Sequence, residues 1–144
     1  MPGKHPITGA NWDEVMDMAT RSALEAIGLL LEREAVALTP RDTGRLIGSI
    51  THATVDGVSN VRPSNSPDAG QHDAVSKPRS KREVWIGTNV DYAAAVEFGT
   101  NQIRAKSVGT VAQPYLRPAL DNNRKAVVRL YAEQLDKVIK RGKF

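Results

Sequence analysis

The stretch 11–38, NWDEVMDMATRSALEAIGLLLEREAVAL, predicts one long helix from Asn11 to Leu38. Asn11 or Asp13 can cap its start, and Pro40 favours an end at Thr39 because the residue before proline avoids helical dihedral angles. Charged residues share one face of this helix: Glu14, Asp17, Arg21, Glu25 and Glu32. Apolar residues recur at helical spacing along the opposite face: Val15, Ala19, Ala23, Ile27, Leu30, Leu31, Ala35 and Leu38.

The apolar face of this helix is wider than one packing partner requires. Met16, Leu24, Leu29 and Val36 lie outside the main stripe. Two interpretations stay open. The helix can be buried on two sides within its own domain, or it can also contact a neighbouring subunit.

A second amphipathic stretch follows Pro118, which suits a first helical turn, and predicts a long C-terminal helix. Between the two helices the sequence predicts shorter elements. A helical turn or two over Thr43–Ile50 is followed by a strand over Ile50–Val58, with a hairpin signal at Asp56-Gly57. A second strand over Glu83–Asn89 is followed by a helix over Tyr92–Phe98, which ends at Gly99. The fold class that this order predicts is α+β. Residues 1–144 form one domain, in which two long terminal helices pack on one face of a small, mainly antiparallel sheet.

Two segments are predicted to be flexible. Residues 1–10 are an N-terminal arm without a hydrophobic stretch, and residues 59–82 are a long loop rich in proline, serine and asparagine. The loop ends in a basic cluster, whose cations are Lys77, Arg79, Lys81 and Arg82. A solvated loop tip and a contact with phosphate or an acidic protein are both compatible with that charge.

Composition excludes several classes of protein. The 144 residues contain no cysteine, so disulfides and thiolate metal sites are excluded. Apolar runs fall short of the roughly 20 residues that span a membrane. A net charge of +4 with a pI of about 9.6 permits contact with nucleic acid or acidic proteins without choosing between them. Aromatic residues make up 5% of the chain, too few for a base-stacking platform.

The side chains that could carry chemistry are not arranged as a catalytic or metal site. Asp42-Thr43-Gly44 matches the aspartic protease triplet, but it precedes a helical turn, where Asp or Thr can cap and Gly can act as a pivot. His52 is interpreted as a strand-surface residue, and His72-Asp73 is placed in the flexible loop. Glu97 is interpreted either as a partner in a subunit contact or as a solvent-facing or locally paired carboxylate. We therefore expect no catalytic, cofactor-binding or metal-binding residues, no cofactor and no enzymatic activity.

Four motifs in order resemble a known family. They are PRDTGRL at 40–46 with Ser49-Ile50, VWIGT at 84–88, YA at 92–93 with EFGT at 97–100, and QPYLRPAL at 113–120. The chain resembles the tail-component proteins of tailed bacteriophages, which are the neck or tail-completion proteins that join head and tail. Tyr115 stands where a Phe is often found in that family, and its added hydroxyl requires a hydrogen-bond partner.

The resemblance implies a structural role without catalysis. Such proteins form rings around the DNA channel, here expected to be hexamers, and contact connector or stopper proteins and the tail tube protein. DNA would pass through the ring without specific binding, and no membrane is involved. The location implied is the virion neck or tail, after assembly in the bacterial cytoplasm. The candidate ring-interface residues are Asp42, Thr43, Gly44, Tyr92, Glu97, Phe98, Pro114, Tyr115 and Arg117.

A basic DNA-binding module is the alternative function. In that interpretation Lys77, Arg79, Lys81 and Arg82, together with the basic end of the last helix, contact duplex phosphates. The same four cations are the candidate contact residues of the loop in the ring interpretation.

Overall fold

A computed structural model of the chain describes residues 9–41, 44–100 and 111–141, with the backbone alone at 9–11 and 141. The described elements are, in chain order, α1 (Gly9–Leu38), α2 (Arg45–Ser49), β1 (Thr51–Thr54), β2 (Gly57–Val58), a 3₁₀ turn (Gln71–Asp73), β3 (Trp85–Gly87), α3 (Ala93–Phe98), α4 (Leu116–Asp121) and α5 (Arg124–Arg141). Two long helices and a small antiparallel sheet confirm the predicted α+β class.

The sheet has three strands in the order β2-β1-β3, and both pairings are antiparallel. Ala53 of β1 stands opposite Val58 of β2 and opposite Trp85 of β3. The hairpin signal at Asp56-Gly57 is therefore correct, since β2 begins at Gly57. All four residues of β1 are buried, as expected for a central strand that is covered on both faces.

Helix α1 packs against the sheet on one side and against α5 on another. Gly28 and Glu32 lie on the side of α1 that meets His52 of β1. Ala26 and Leu30 lie about half a turn away and, with Ala126 and Leu130 of α5, border the groove between the two helices. Helix α1 is therefore covered on two sides within its own chain, and a further contact of α1 with a neighbouring subunit stays a prediction.

The predicted boundaries differ from the observed ones at both long helices. Helix α1 begins at Gly9, so Asn11 and Asp13 lie inside it and do not cap it. Residues 9 and 10 of the predicted arm therefore belong to α1, and residues 1–8 lie outside the described residues. The C-terminal helix is divided into α4 and α5, because the Asn123 side chain donates to Ala119 O at 2.7 Å and its backbone N–H bonds Leu120 O in a turn.

The segment 59–82 packs against the fold more closely than its composition predicts. Arg62 donates its backbone N–H to Gly48 O at 2.9 Å, and its guanidinium bonds Ile50 O and Glu32. Asp73 and Pro78 are buried. The prediction of a long flexible loop over 59–82 did not include these contacts, which attach the segment to α1 and α2 through polar rather than large apolar side chains.

Candidate functional site

Glu97 joins the last turn of α3 to the start of α4. Its carboxylate accepts the backbone N–H groups of Tyr115 at 2.7 Å, Leu116 at 3.0 Å and Arg117 at 2.9 Å. The first N–H groups of a helix have no partner inside it, and a carboxylate there also meets the positive end of the helix dipole. The two motifs of the sequence that contain Glu97 and Tyr115 are thus one structural unit.

Tyr115 is fully buried beneath this unit. Its hydroxyl donates to Ala93 O at 3.3 Å, which supplies the partner that the sequence required. Burial, helped by the nearby charge of Glu97, raises the pKa of Tyr115 to about 12, so the phenol stays neutral and can donate. The ring packs in the core with Leu46, Ile50 and Ala93.

Glu97 and Tyr115 were predicted as ring-interface residues, and the structure corrects that role. Both side chains are buried and hydrogen-bonded within their own chain. They therefore position neighbouring surface residues but are not themselves part of the surface. Tyr92, Phe98, Pro114 and Arg117 are exposed and remain candidates. Gly44, at a φ of 84°, is the pivot before α2. Asp42 and Thr43 lie outside the described residues.

A buried network of charged groups joins α1 to β1, contrary to the sequence interpretation of its members. Glu32 and His52 are each 4% exposed, although they were assigned to the charged face of α1 and to a strand surface. His52 Nδ1 contacts Glu32, and His52 Nε2 lies 2.7 Å from Glu25 Oε1. Arg62 and Ser59 also donate to Glu32. The only sequence signal was Gly28, one turn before Glu32, which leaves room for the imidazole.

The pKa values of this network follow from its contacts. The hydrogen bond to Glu32 raises the pKa of His52 against the opposing effect of burial, and Glu25 adds to the increase. Burial alone would raise the pKa of Glu32, but hydrogen bonds from His52 and Ser59 and the charge of Arg62 hold it below its usual value. Imidazolium and carboxylate are the consistent forms, because only the charged ring can donate from both nitrogens.

A second ion pair fixes the segment before β3. The guanidinium of Arg45 donates to both carboxylate oxygens of Asp73, at 3.0 and 2.9 Å. Asp73 is buried, and the Arg45 hydrogen bonds hold its pKa below the usual range. The sequence interpretation of Asp73 as part of an unfixed loop is therefore wrong. His72, beside it, is exposed.

An apolar groove of about 670 Å³ lies between α1, β3 and the α4–α5 region. Its floor consists of buried residues of α1 and α4, including Ile27, Leu31 and Ala119. Trp85 and Leu120 at its border are partly exposed. Among the described residues that line it there is no charged side chain, so this lining suits an apolar occupant and offers no acid, base or nucleophile.

The cations of the basic cluster are exposed in the single chain, which is compatible with both interpretations of the cluster. Pro78 is buried, whereas the four cations around it are exposed to solvent: Lys77, Arg79, Lys81 and Arg82. Within the part of the chain that the structure describes, no group of three or more His, Asp or Glu side chains could hold a metal ion. No described helix combines the length and apolarity needed to cross a membrane.

Comparison of the chain with family models, with curated proteins and with solved structures gives no match. The contacts within the described residues therefore carry the functional interpretation.

Proposed function

We propose that this chain is a structural subunit of a tailed-bacteriophage neck or tail, which assembles into a ring at the head–tail junction. The observation that supports this proposal most is that the motifs that resemble those of the phage family meet around Glu97 and Tyr115 in the interior of the chain. Glu97 caps the helix that follows Tyr115, and Tyr115 packs on Leu46 and Ala93. Residues of the motifs thus fix the direction of the backbone and leave the Phe98 side chain exposed to solvent. This supports a structural role in which the chain contacts other subunits.

The exposed apolar side chains support self-association. Phe98 on α3 and Leu29 on α1 are both well exposed, as is Val128 on α5. Large aromatic side chains contribute most when they become buried in an interface. A ring uses a heterologous contact, in which one surface of a copy meets a different surface of the next until the circle closes.

Native mass spectrometry and negative-stain imaging of the purified protein test this proposal. We expect a closed oligomer with a central opening, and six copies is the expected number. A protein that stays monomeric at every concentration, and also inside intact viral particles, would contradict the proposal.

DNA binding remains the second candidate, because the four cations of the basic cluster are all exposed. A protein that makes several phosphate contacts loses affinity steeply with salt, by about a thousandfold between low and moderate ionic strength. The ring proposal instead expects weak duplex binding, since DNA must pass through. Charge reversal at Lys77, Arg79, Lys81 and Arg82 separates the two. Loss of assembly without measurable duplex binding supports the ring, and strong, salt-sensitive duplex binding that the reversal abolishes supports the DNA-binding module.

A further inference from the structure

Phe98 forms a rigid apolar projection at the end of α3. Its side chain is 74% exposed, and Ala94, one turn earlier, is also exposed. The backbone beneath it is held on both sides, since Gly99 N–H bonds Ala95 O at 2.8 Å and Gln113 N–H bonds Val96 O at 2.8 Å. Glu97 fixes the same turn to α4. Because the backbone that carries Phe98 is already fixed, burial of its side chain restricts only the two side-chain torsions.

The apolar groove offers a matching concave surface on the same chain. An apolar cavity of about 150 Å³ is enough to hold benzene, so a groove of about 670 Å³ has room for a phenyl ring and part of the turn that carries it. Ile27 and Leu31, each about nine-tenths or more buried, provide the floor, and Trp85 and Leu120 provide an exposed border. A well-packed centre with a border that excludes water is the arrangement found at interface hot spots.

The charges of the two surfaces also match. A charged side chain placed in the groove would lose its hydration without gaining a partner from the described lining residues, which are all apolar. Glu97 is the one charged residue of α3, and the three N–H groups of α4 compensate it. The projection at Phe98 therefore enters the groove without burying an unpaired charge. Nucleic acid and charged peptides, in contrast, would bury unpaired charges in the groove.

We propose that the groove bordered by Trp85 and Leu120 receives the Phe98 side chain of a second copy of this chain. This inference rests on the proposed ring function and names the contact that builds the ring. Projection and groove are different surfaces, so each copy offers one to each neighbour, and the contact can repeat around an axis. Phe98 does not line the groove of its own chain.

The absence of cysteine permits a direct crosslinking test. Chains carrying Ala94→Cys, an exposed position one turn before Phe98 that leaves the phenyl ring in place, are mixed with differently tagged chains carrying Leu120→Cys. The mixture is exchanged at low concentration, concentrated and oxidised. Mixed pairs can form only between copies, and the tags separate them from like pairs by mass. The matched control replaces Leu120→Cys by Val128→Cys, a residue that is 70% exposed and does not line the groove. Thermal melting of each single variant checks that these exposed substitutions leave the fold intact.

We expect the Ala94–Leu120 mixed pair to exceed the Ala94–Val128 pair by about tenfold or more, which corresponds to about 1.4 kcal/mol in the free energy of contact. A closed oligomer in native mass spectrometry with equal crosslinking of both pairs overturns this contact and leaves the ring proposal standing. A protein that is monomeric throughout overturns both. Predominant Ala94–Ala94 pairs overturn the heterologous contact in favour of a symmetric one.

Tryptophan fluorescence supplies a second measurement without cysteines. In a Trp12→Phe background only Trp85 emits, because the chain has two tryptophans. Occupation of the groove shifts the Trp85 emission to shorter wavelength as the protein is concentrated. We expect Phe98→Ala to abolish that shift and Val128→Ala to retain it. A shift that persists in Phe98→Ala overturns the proposal.

Discussion

Glu97 Oε2 accepts the backbone N–H of Tyr115 at 2.7 Å, across 18 residues of chain. This bond and its two neighbours at Leu116 and Arg117 set the direction in which the chain enters α4. The direction of α4 in turn places Leu116 and Ala119 in the lining of the apolar groove. A single buried carboxylate thus determines both the projection at Phe98 and one wall of the surface proposed to receive it.

Replacement of Glu97 by Gln should destabilise the protein by about 2–3 kcal/mol. The amide removes the charge and turns its NH₂ group towards backbone donors, and each buried donor left unpaired costs about 1–3 kcal/mol. Chemical denaturation measures the change. Glu133→Gln, on the exposed face of α5, is the matched control and should change stability by less than about 0.5 kcal/mol. Equal stability of the two variants would contradict the capping role.

The stability of the protein should be greatest between about pH 4.5 and pH 6.5, the usual pKa values of Glu and His. The pKa of His52 is raised by folding, so its contribution is complete below 6.5 and is lost as the pH rises through the folded-state value. The pKa of Glu32 is lowered, so its contribution is complete above 4.5 and is lost as the pH falls through the folded-state value. A pKa that differs by one between the folded and unfolded chains contributes about 1.4 kcal/mol to the free energy of unfolding.

Urea denaturation at a series of pH values measures this profile. His52→Gln should remove the alkaline decline, whereas His72→Gln, at an exposed position, should retain it. Nitrogen-15 NMR of the imidazole gives an independent reading that does not need a variant. Both ring nitrogens of His52 should carry protons at pH 6. A neutral ring at that pH would contradict the assigned network.

The elements with strong local signals could be predicted from sequence, and the polar interior could not. Hydrophobic periodicity located α1, and Gly99 located the end of α3, because each depends on neighbouring residues. The burial of Glu32 depends on His52 and Arg62, which follow it by 20 and 30 residues. Helical periodicity assigns a glutamate to the solvent face, and only the long-range partners reverse that assignment. The groove has the same origin, since it forms from α1, β3 and α4 together.

Asp73→Asn should release the segment that precedes β3. The neutral amide cannot accept both guanidinium donors of Arg45. The backbone N–H of Asn89 bonds Asp73 O at 2.7 Å, so this bond should weaken when residue 73 is released. Hydrogen exchange followed by mass spectrometry should show faster exchange over 71–76 and at Asn89. Asp68→Asn, at an exposed position of the same segment, is the control and should leave exchange unchanged.

Hydrogen exchange followed by mass spectrometry also tests whether residues 59–82 become ordered on assembly. If the segment gains protection in the ring, the gain should lie in 77–82, which follows the anchor, and not in 59–76, which Arg62 and Asp73 already hold. Equal protection of the whole segment in free and assembled protein would defeat that prediction.

Gly28→Ala should destabilise the protein although alanine is the better helix former. In an exposed helix interior this replacement stabilises by about 1 kcal/mol. At Gly28 the new Cβ would lie 2.6 Å from His52 Cδ2 and 2.9 Å from Val84 Cγ2, so the imidazole must move away from Glu25 and Glu32. Overpacking of this kind costs about 1–3 kcal/mol. We expect a net loss of about 1–2 kcal/mol and a fall in Tm of about 5 °C.

Gly57→Ala is the matched control for this substitution, because a Cβ built at Gly57 has no heavy atom within 4 Å. Its Tm should stay within about 2 °C of the parent protein. The alkaline decline of stability should also weaken in Gly28→Ala and persist in Gly57→Ala, since only the former displaces His52. A Gly28→Ala protein that is more stable than its parent, with an unchanged pH profile, would show that the imidazole does not lie against α1.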